Sequence, residues 1–274
     1  MKPSNEVVKN QNAHNKIHKE YEMIHVEIFN HIEQKRLKNC IEKTAEFINT
    51  GSDRPTALDY GCGSGNLTKF FIELGFYVFS VDISFPFLKI VREKFLTTRK
   101  ASVAQINGFE LKAFKNNSFD FTATYSVLHH IPDYLALTAE LIRVTKPGGV
   151  IYLDHEQNSF FWDKDKLYLE FLNEAKKNSR FNLNTFLKKY TKISNYLDGI
   201  KRLFMPRYQA EADIHVWPDD HIEWDKIETL FINSKCEIIL KHDYLLYKNY
   251  PMDTYLAFKD RCSDFRCIAA RKIC

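Results

Sequence analysis

No stretch of the 274-residue sequence approaches the ~18 apolar residues that a membrane-spanning helix needs. The first residues, "MKPSNEVVKNQNAHNK", lack the apolar core of a secretory signal. Together these absences predict a chain that is neither threaded through a membrane nor exported, and so a cytoplasmic one. The six cysteines, at 40, 62, 236, 262, 267 and 274, show no paired two-residue spacing, so neither a zinc site nor a disulfide framework is indicated. No metal site is read elsewhere either: His14 and His18 have a ligand-like separation, but they fall in a polar start where solvated side chains are expected. A net charge of +4 is too small to name a partner, and there is no arginine-rich run, internal repeat or low-complexity tract.

What is present is alternation. Residues 17–48 carry apolar side chains at helical spacing (Ile17, Tyr21, Ile24, Ile28, Ile32, Leu37, Ile41). From Thr56 onward, short apolar runs exchange with amphipathic ones. "ALDY", "YVFSVDI", "SVAQI", "FDFTATYS" and "VIYLDHE" read as strands, with "NLTKFFIEL", "PFLKIVREKF" and "PDYLALTAELIRVT" as the helices between them. Strands joined by helices imply right-handed crossovers and a parallel sheet covered on both faces. Residues 157–217 break the pattern with helical runs such as "KLYLEFLNEAKK" and "LNTFLKKYTKISNYLDGIKRLF". "PDDHIEWDKIETLFINS" then predicts a helix capped by Asp219 or Asp220, followed by strand-like "CEIILKHDYLLY" and "FRCIAARKI". The organisation expected is a helical segment at 1–48, an α/β core at 49–156 and 218–274, and a helical insertion at 157–217.

"ALDYGCGSGNLT" is the most informative stretch. A glycine-rich turn between a strand and its helix lets backbone approach a ligand, and the helix start favours negative charge. The glycines stand at 61, 63 and 65 with Asn66 next, so the third glycine of the dinucleotide fingerprint is missing. Asp59, just before the turn, would repel a phosphate but could hold an ammonium group. An amino-acid-like ligand carrying both charges fits better than NAD.

"LDYGCGSG", "VFSVDIS", "SFDFTATYSVLHHIPD" and "LIRVTKPGGVIYLD", in that order and spacing across residues 56–156, resemble class I S-adenosylmethionine-dependent methyltransferases of the UbiE-like small-molecule branch. The resemblance implies a Rossmann-like, doubly wound, mostly parallel seven-stranded sheet, with S-adenosylmethionine as cofactor and S-adenosylhomocysteine as product. It implies that Gly61, Cys62, Gly63 and Gly65 line the methionine part, with Asp59 at the ammonium end and the Tyr125 backbone meeting the amino group. Asp82 would accept the ribose hydroxyls and Ile83 would lie against the adenine. Asn107 and Gly108, with Phe109 one register away, stand where the family has an acid. The family's Leu-Pro-Phe is replaced by Lys112-Ala113-Phe114. Tyr21 and His25 would belong to a lid folded across the cofactor, the alternative being a helix packed on the sheet edge.

Methyl transfer by in-line displacement needs positioning and exclusion of water, and a general base only where the acceptor loses a proton. His155, Glu156 and His130 are the catalytic candidates, with His129, Asp154 and His215 behind them. For each the alternative is a strand-end cap or loop-fixing role. From 157 to 210 there are eleven Lys or Arg against five Asp or Glu, interleaved with aromatics (Phe160, Phe161, Trp162, Tyr168, Phe171, Phe181, Phe186, Tyr190, Tyr196, Phe204, Tyr208). These form either the insertion's own core or a pocket for an apolar or anionic small molecule. "YSVLHH" replaces the Asn/Asp-Pro-Pro-aromatic motif that grips base amines, so DNA is not an expected partner. The reading is a small-molecule O-methyltransferase. Action on RNA or protein and an inactive cofactor-binding module are the alternatives, and oligomeric state is left open.

Overall fold

The computed structural model describes residues 5–108, 110–178, 205, 207, 209 and 211–274. Among them the helices are α1 (Asn5–Ile17), α2 (Tyr21–Ile24), α3 (Val26–Phe29), α4 (His31–Ala45), α5 (Asn66–Glu73), α6 (Phe85–Phe95), α7 (Tyr134–Val144), α8 (Ser159–Asp163), α9 (Lys166–Asn178), α10 (Trp224–Asn233) and α11 (Met252–Phe258). The strands are β1 (Thr56–Tyr60), β2 (Tyr77–Asp82), β3 (Ala101–Gln105), β4 (Phe119–Tyr125), β5 (Thr145–Gln157), β6 (Val216–Trp217), β7 (Asp220–His221), β8 (Cys236–Tyr244) and β9 (Phe265–Lys272).

Seven strands form one sheet in the order β3-β2-β1-β4-β5-β9-β8, and β6 and β7 pair separately. The first five are mutually parallel and β9 runs antiparallel to both β5 and β8. Burial explains the order. Every residue of β4 is buried, as a strand covered on both faces must be, whereas β3 at the edge is half-exposed. On one face α4 and α5 bring Leu37, Ile41, Phe70 and Phe71 against Val78, Phe121 and Tyr152. On the other, α7 and α10 bring Leu137, Leu141, Ile227 and Phe231 against Leu58, Ile151 and Ile268. This is the expected Rossmann-like, mostly parallel seven-stranded sheet. The strand order reverses between β1 and β4, which opens a crevice at their carboxyl ends.

Four local expectations change. The "PDDH" stretch does not cap a helix: Asp220 and His221 form β7, and α10 starts at Trp224 after Glu223. Asp220 is engaged by His215 and Asp219 by Arg207. Helix α11, between β8 and β9, has no counterpart in the sequence reading. Tyr168 and Phe171 of α9 pack with Leu245, Tyr255 and Phe258, so they join the β8–β9 connection and do not form a separate core. The start of the chain is helical, and His14 packs between Tyr21, Phe87 and His130 instead of facing solvent. Its helix is too polar for hydropathy to mark as buried. The run 183–204, residues Phe181, Phe186, Tyr190, Tyr196, Phe204 and Tyr208, and Phe109 lie outside the described residues.

Candidate active site

Two cavities lie at the carboxyl ends of the central strands. The first is walled by Tyr60, Gly61, Gly63, Asp82, Ile83, Phe87, Ile106, Tyr125, Val127, His130 and Ile131, and is roofed by Asn10, His14 and Tyr21. Gly61 takes φ +69°, and a Cβ there would come within 2.5 Å of Val127, so the turn tolerates no side chain. Asp82 ends β2 with one oxygen accepting from the Ser84 N–H at 2.7 Å and the other from the Gly63 N–H at 2.9 Å. A carboxylate has about four acceptor positions, so about two remain for ligand hydroxyls. Burial pushes the Asp82 carboxyl up to about 6, and the N–H groups of Ser84, Gly63 and Ile83 oppose that rise. Vicinal ribose hydroxyls at Asp82, apolar walls from Ile83, Phe87 and Ile106, and bare backbone at the turn fit S-adenosylmethionine. The roof is closed: Gln11 Nε2 donates to the Ile83 carbonyl at 2.6 Å, Ser84 Oγ to Asn15 Oδ1 at 2.7 Å, and the free volume is about 60 Å³.

The residues assigned to the cofactor separate here. Tyr21, Gly61, Gly63, Asp82, Ile83 and Tyr125 line this cavity, as does His130; Asp59, Cys62, Gly65, Asn107 and Gly108 do not. Asp59 turns into the protein, where one oxygen accepts from both the N–H and hydroxyl of Thr68 at the start of α5. Burial raises it to about 7, so it is a helix anchor and not an exposed counter-charge for an ammonium group. Cys62 packs with Leu88 and Val91, and burial raises its thiol far above the usual range. Gly65 adopts φ +91° where a Cβ would meet Phe95. His25 packs against Tyr21 with ring centres 4.4 Å apart and bonds Glu27 through Nδ1. Gly108 offers its carbonyl to the Tyr60 hydroxyl at 3.0 Å.

The second cavity, about 310 Å³, adjoins the first at Ser126 and is lined by Glu27, His129, His155, Glu156, Gln157, Asp213, His215, Leu246, Lys248 and Phe265. Its shape depends on a bulge in β5. Leu153 pairs with Ile268 and Glu156 with Arg266, so Asp154 and His155 together oppose Cys267. His155 takes φ +66°. In a regular strand Asp154 and Glu156 would share a face. Here Asp154 meets Arg36 of α4 at 2.8 Å, while Glu156 accepts from the N–H groups of Val127 and Leu128 at 3.0 and 2.7 Å and contacts His129 Nδ1 at 2.7 Å. Glu156 thus fixes the loop after β4, and its oxygens are already engaged. His155, between Tyr125 and Phe265, has both ring nitrogens buried and without hydrogen-bond partners. Burial, then the charges of Arg36, Lys248 and His129, hold its pKa well below the usual value. The lowered pKa keeps the ring uncharged and leaves a nitrogen lone pair, at lower basicity than a solvated imidazole. Lys248, Asp213 and Phe265 were not singled out from sequence; they come from distant segments and share no local pattern.

A doubly wound sheet with a glycine turn after β1 and a ribose-type carboxylate ending β2 defines a nucleoside-cofactor-binding α/β domain. Residues 58–153 match the family described as methyltransferase domain, in line with the class I S-adenosylmethionine-dependent methyltransferases that the sequence resembles. The chain is 31% identical over 160 residues to the demethylmenaquinone methyltransferase of Bacillus licheniformis, a match covering 57% of this chain and 66% of the relative. It is 32% identical over 97 residues to the ubiquinone biosynthesis O-methyltransferase of Xanthomonas campestris pv. campestris, covering 35% of this chain and 41% of that one. These matches thus span less than two thirds of either relative. Among solved structures, a SAM-dependent methyltransferase of Thermotoga maritima, titled a possible histamine N-methyltransferase, aligns over 95% of this chain and 99% of its own. That alignment has a TM-score of 0.53 at 14% identity, a likeness of fold alone.

Proposed function

We infer that the protein transfers a methyl group from S-adenosylmethionine to a hydroxyl of a small, largely apolar molecule held in the second cavity. The observation that carries this reading is His155, a buried neutral imidazole with two unpartnered nitrogens, facing a cavity that adjoins the cofactor cavity at Ser126. When bound, the cofactor supplies an electrophilic methyl group on a sulfonium. Asp82 accepts the ribose hydroxyls, the Gly61–Gly63 turn holds the methionine part, and Ile83 with Phe87 flanks the adenine. His155 takes the acceptor's proton. Glu156 and His130 shape the site: the first holds His129 and the loop after β4, and the second closes the cofactor side. Leu246, Ile222 and Phe265 give an acceptor ring apolar contact, while Lys248 favours an oxyanion or other anionic group.

The names of the two curated relatives support a small acceptor, and the second supports reaction at oxygen. Residues 1–48 act as a lid, 157–217 as part of the acceptor side, and the α/β remainder as the cofactor-binding core. The protein works in the cytoplasm, a reading supported by free cysteines at all six positions; among the described residues no helix is long and apolar enough to cross a membrane.

The test is turnover of labelled S-adenosylmethionine by the full chain against phenolic and other hydroxylated small molecules. His155→Ala lowers kcat by ~10²–10⁴, the usual contribution of a general base, with cofactor affinity retained. Wild-type turnover in that variant would remove the base from the mechanism. Absence of any calorimetric response to S-adenosylhomocysteine in the wild-type chain would remove the function.

A further inference from the structure

His129 and Asp213, which line the second cavity, and His130, which lines the first, form an arrangement that proton transfer does not use. A ring nitrogen from each of His129 and His130 and an oxygen of Asp213 lie within 4.8 Å of one another. The two histidines sit in the single 3₁₀ turn Leu128–His130 after β4. Asp213 reaches them from 83 residues downstream because the chain is stitched there: the N–H groups of Ile214 and His215 both donate to the His129 carbonyl, at 2.8 and 3.1 Å.

The orientation of each donor is informative. Glu156 holds His129 Nδ1 at 2.7 Å and is itself fixed by the Val127 and Leu128 N–H groups, so Nε2 is the nitrogen left for another partner. A carboxylate on the far nitrogen of an imidazole is the arrangement that fixes tautomer and ring angle in metal-ligating histidines. His130 Nδ1 and Asp213 Oδ1 are 3.2 Å apart, both buried, and neither makes a hydrogen bond. Buried polar atoms without partners are uncommon in folded proteins, and an ion between them would satisfy both.

We propose that His129, His130 and Asp213 bind one divalent transition-metal ion, Zn²⁺ by the character of its donors, between the second cavity, lined by His129 and Asp213, and the first, lined by His130. Two imidazoles and a carboxylate suit zinc, which keeps an open fourth position in catalytic sites; calcium and magnesium prefer all-oxygen shells. An open fourth position would be available to the acceptor, so the inference rests on that reading for its role but not for the ion's binding. An acceptor hydroxyl oxygen entering that position becomes more acidic, its proton passing to His155 and its oxygen lone pair remaining on the ion until used.

The metal-stripped full chain, titrated with Zn²⁺ and separately with Co²⁺ without cofactor or acceptor, is expected to take up one ion. Bound Co²⁺ should give visible bands of a four- or five-coordinate nitrogen and oxygen site. Asp213→Asn, which keeps the side-chain shape, and His130→Ala should each weaken binding at least tenfold. His242→Ala, exposed on β8 away from the cavity, should leave it unchanged. Circular dichroism of the metal-free variants separates loss of a ligand from loss of fold. No stoichiometric uptake, or uptake indifferent to both ligand substitutions, overturns the site. Cofactor binding is read calorimetrically on the same wild-type preparation, so failure of the methyltransferase reading is distinguishable from failure of the ion site.

Discussion

At the scale of single residues, Asp82 sets the most direct pH dependence. Burial raises its carboxyl from the ordinary range to about 6, against the pull of the Ser84, Gly63 and Ile83 N–H groups. A pKa raised on folding stabilises the protonated folded state. That contribution is full below the unfolded value of about 4 and is lost as pH rises through about 6, so the cofactor-free protein loses this stability across that window. Cofactor affinity moves the other way, because ribose hydroxyls donate to the ionised carboxylate. Calorimetric titration with S-adenosylhomocysteine should show affinity rising between pH 5 and 7, and Asp82→Asn should flatten that rise and cost ~1.5–3 kcal/mol, the usual range for a charged hydrogen-bond partner. Asp59, raised to about 7, titrates nearby but faces Thr68, so Asp59→Asn should leave the affinity profile largely intact.

At the scale of elements, α1 decides access. The space left beneath it, about 60 Å³, is far below the ~300 Å³ at which small-molecule pockets begin, so α1 must shift before a nucleoside cofactor enters. Its ties include Gln11 to the Ile83 carbonyl, Asn15 to Ser84, Asn10 Nδ2 to the Glu211 carbonyl at 3.4 Å, and the ring contacts of His14 with Tyr21, Phe87 and His130. Gln11→Ala removes one neutral hydrogen bond, worth about 1 kcal/mol. Stopped-flow measurement should show cofactor association roughly fivefold faster, with the thermal midpoint of the protein little changed. An unchanged association rate would mean that α1 does not gate the site. The sequence reading already expected a helical lid over 1–48, but α1 itself reads there as a polar, solvated start; its contacts come from covering the strand ends, not from an apolar stripe.

At the scale of the whole molecule, Arg36 joins segments that are far apart in the chain. Its guanidinium bonds Glu33 within α4 and Asp154 at the β5 bulge, and lies 3.7 Å from the centre of the Tyr244 ring in β8. Glu33 in turn accepts from the Tyr125 hydroxyl at 2.8 Å and Asp154 from the Tyr244 hydroxyl at 3.1 Å. Burial pushes Glu33 up, with Arg36 opposing the shift. Arg36→Met would leave two buried carboxylates without their cation, and chemical denaturation should report a loss of ~3–5 kcal/mol, the usual cost of breaking a buried pair. Smaller losses would show that Glu33 simply takes up a proton. Because Asp154 and Tyr125 adjoin His155 and the cofactor cavity, the same substitution should also slow turnover.

The sequence by itself determined the alternation of strands and helices, the glycine turn at 61–65 and the acid ending β2. These are local: a strand needs consecutive apolar residues, a turn at φ +69° needs glycine, and a ribose needs a carboxylate at one fixed place after its strand. Tertiary structure alone decided which of the acids and histidines face a ligand. Asp59 was turned inward by Thr68, and Glu156 was carried to the opposite face from Asp154 by a bulge of β5 in its pairing with β9, a strand more than a hundred residues away. Asp213 reached His129 and His130 only through backbone bonds across 83 residues. A side chain's chemistry is written in its residue type, but its direction depends on strand register and on partners that local sequence does not specify.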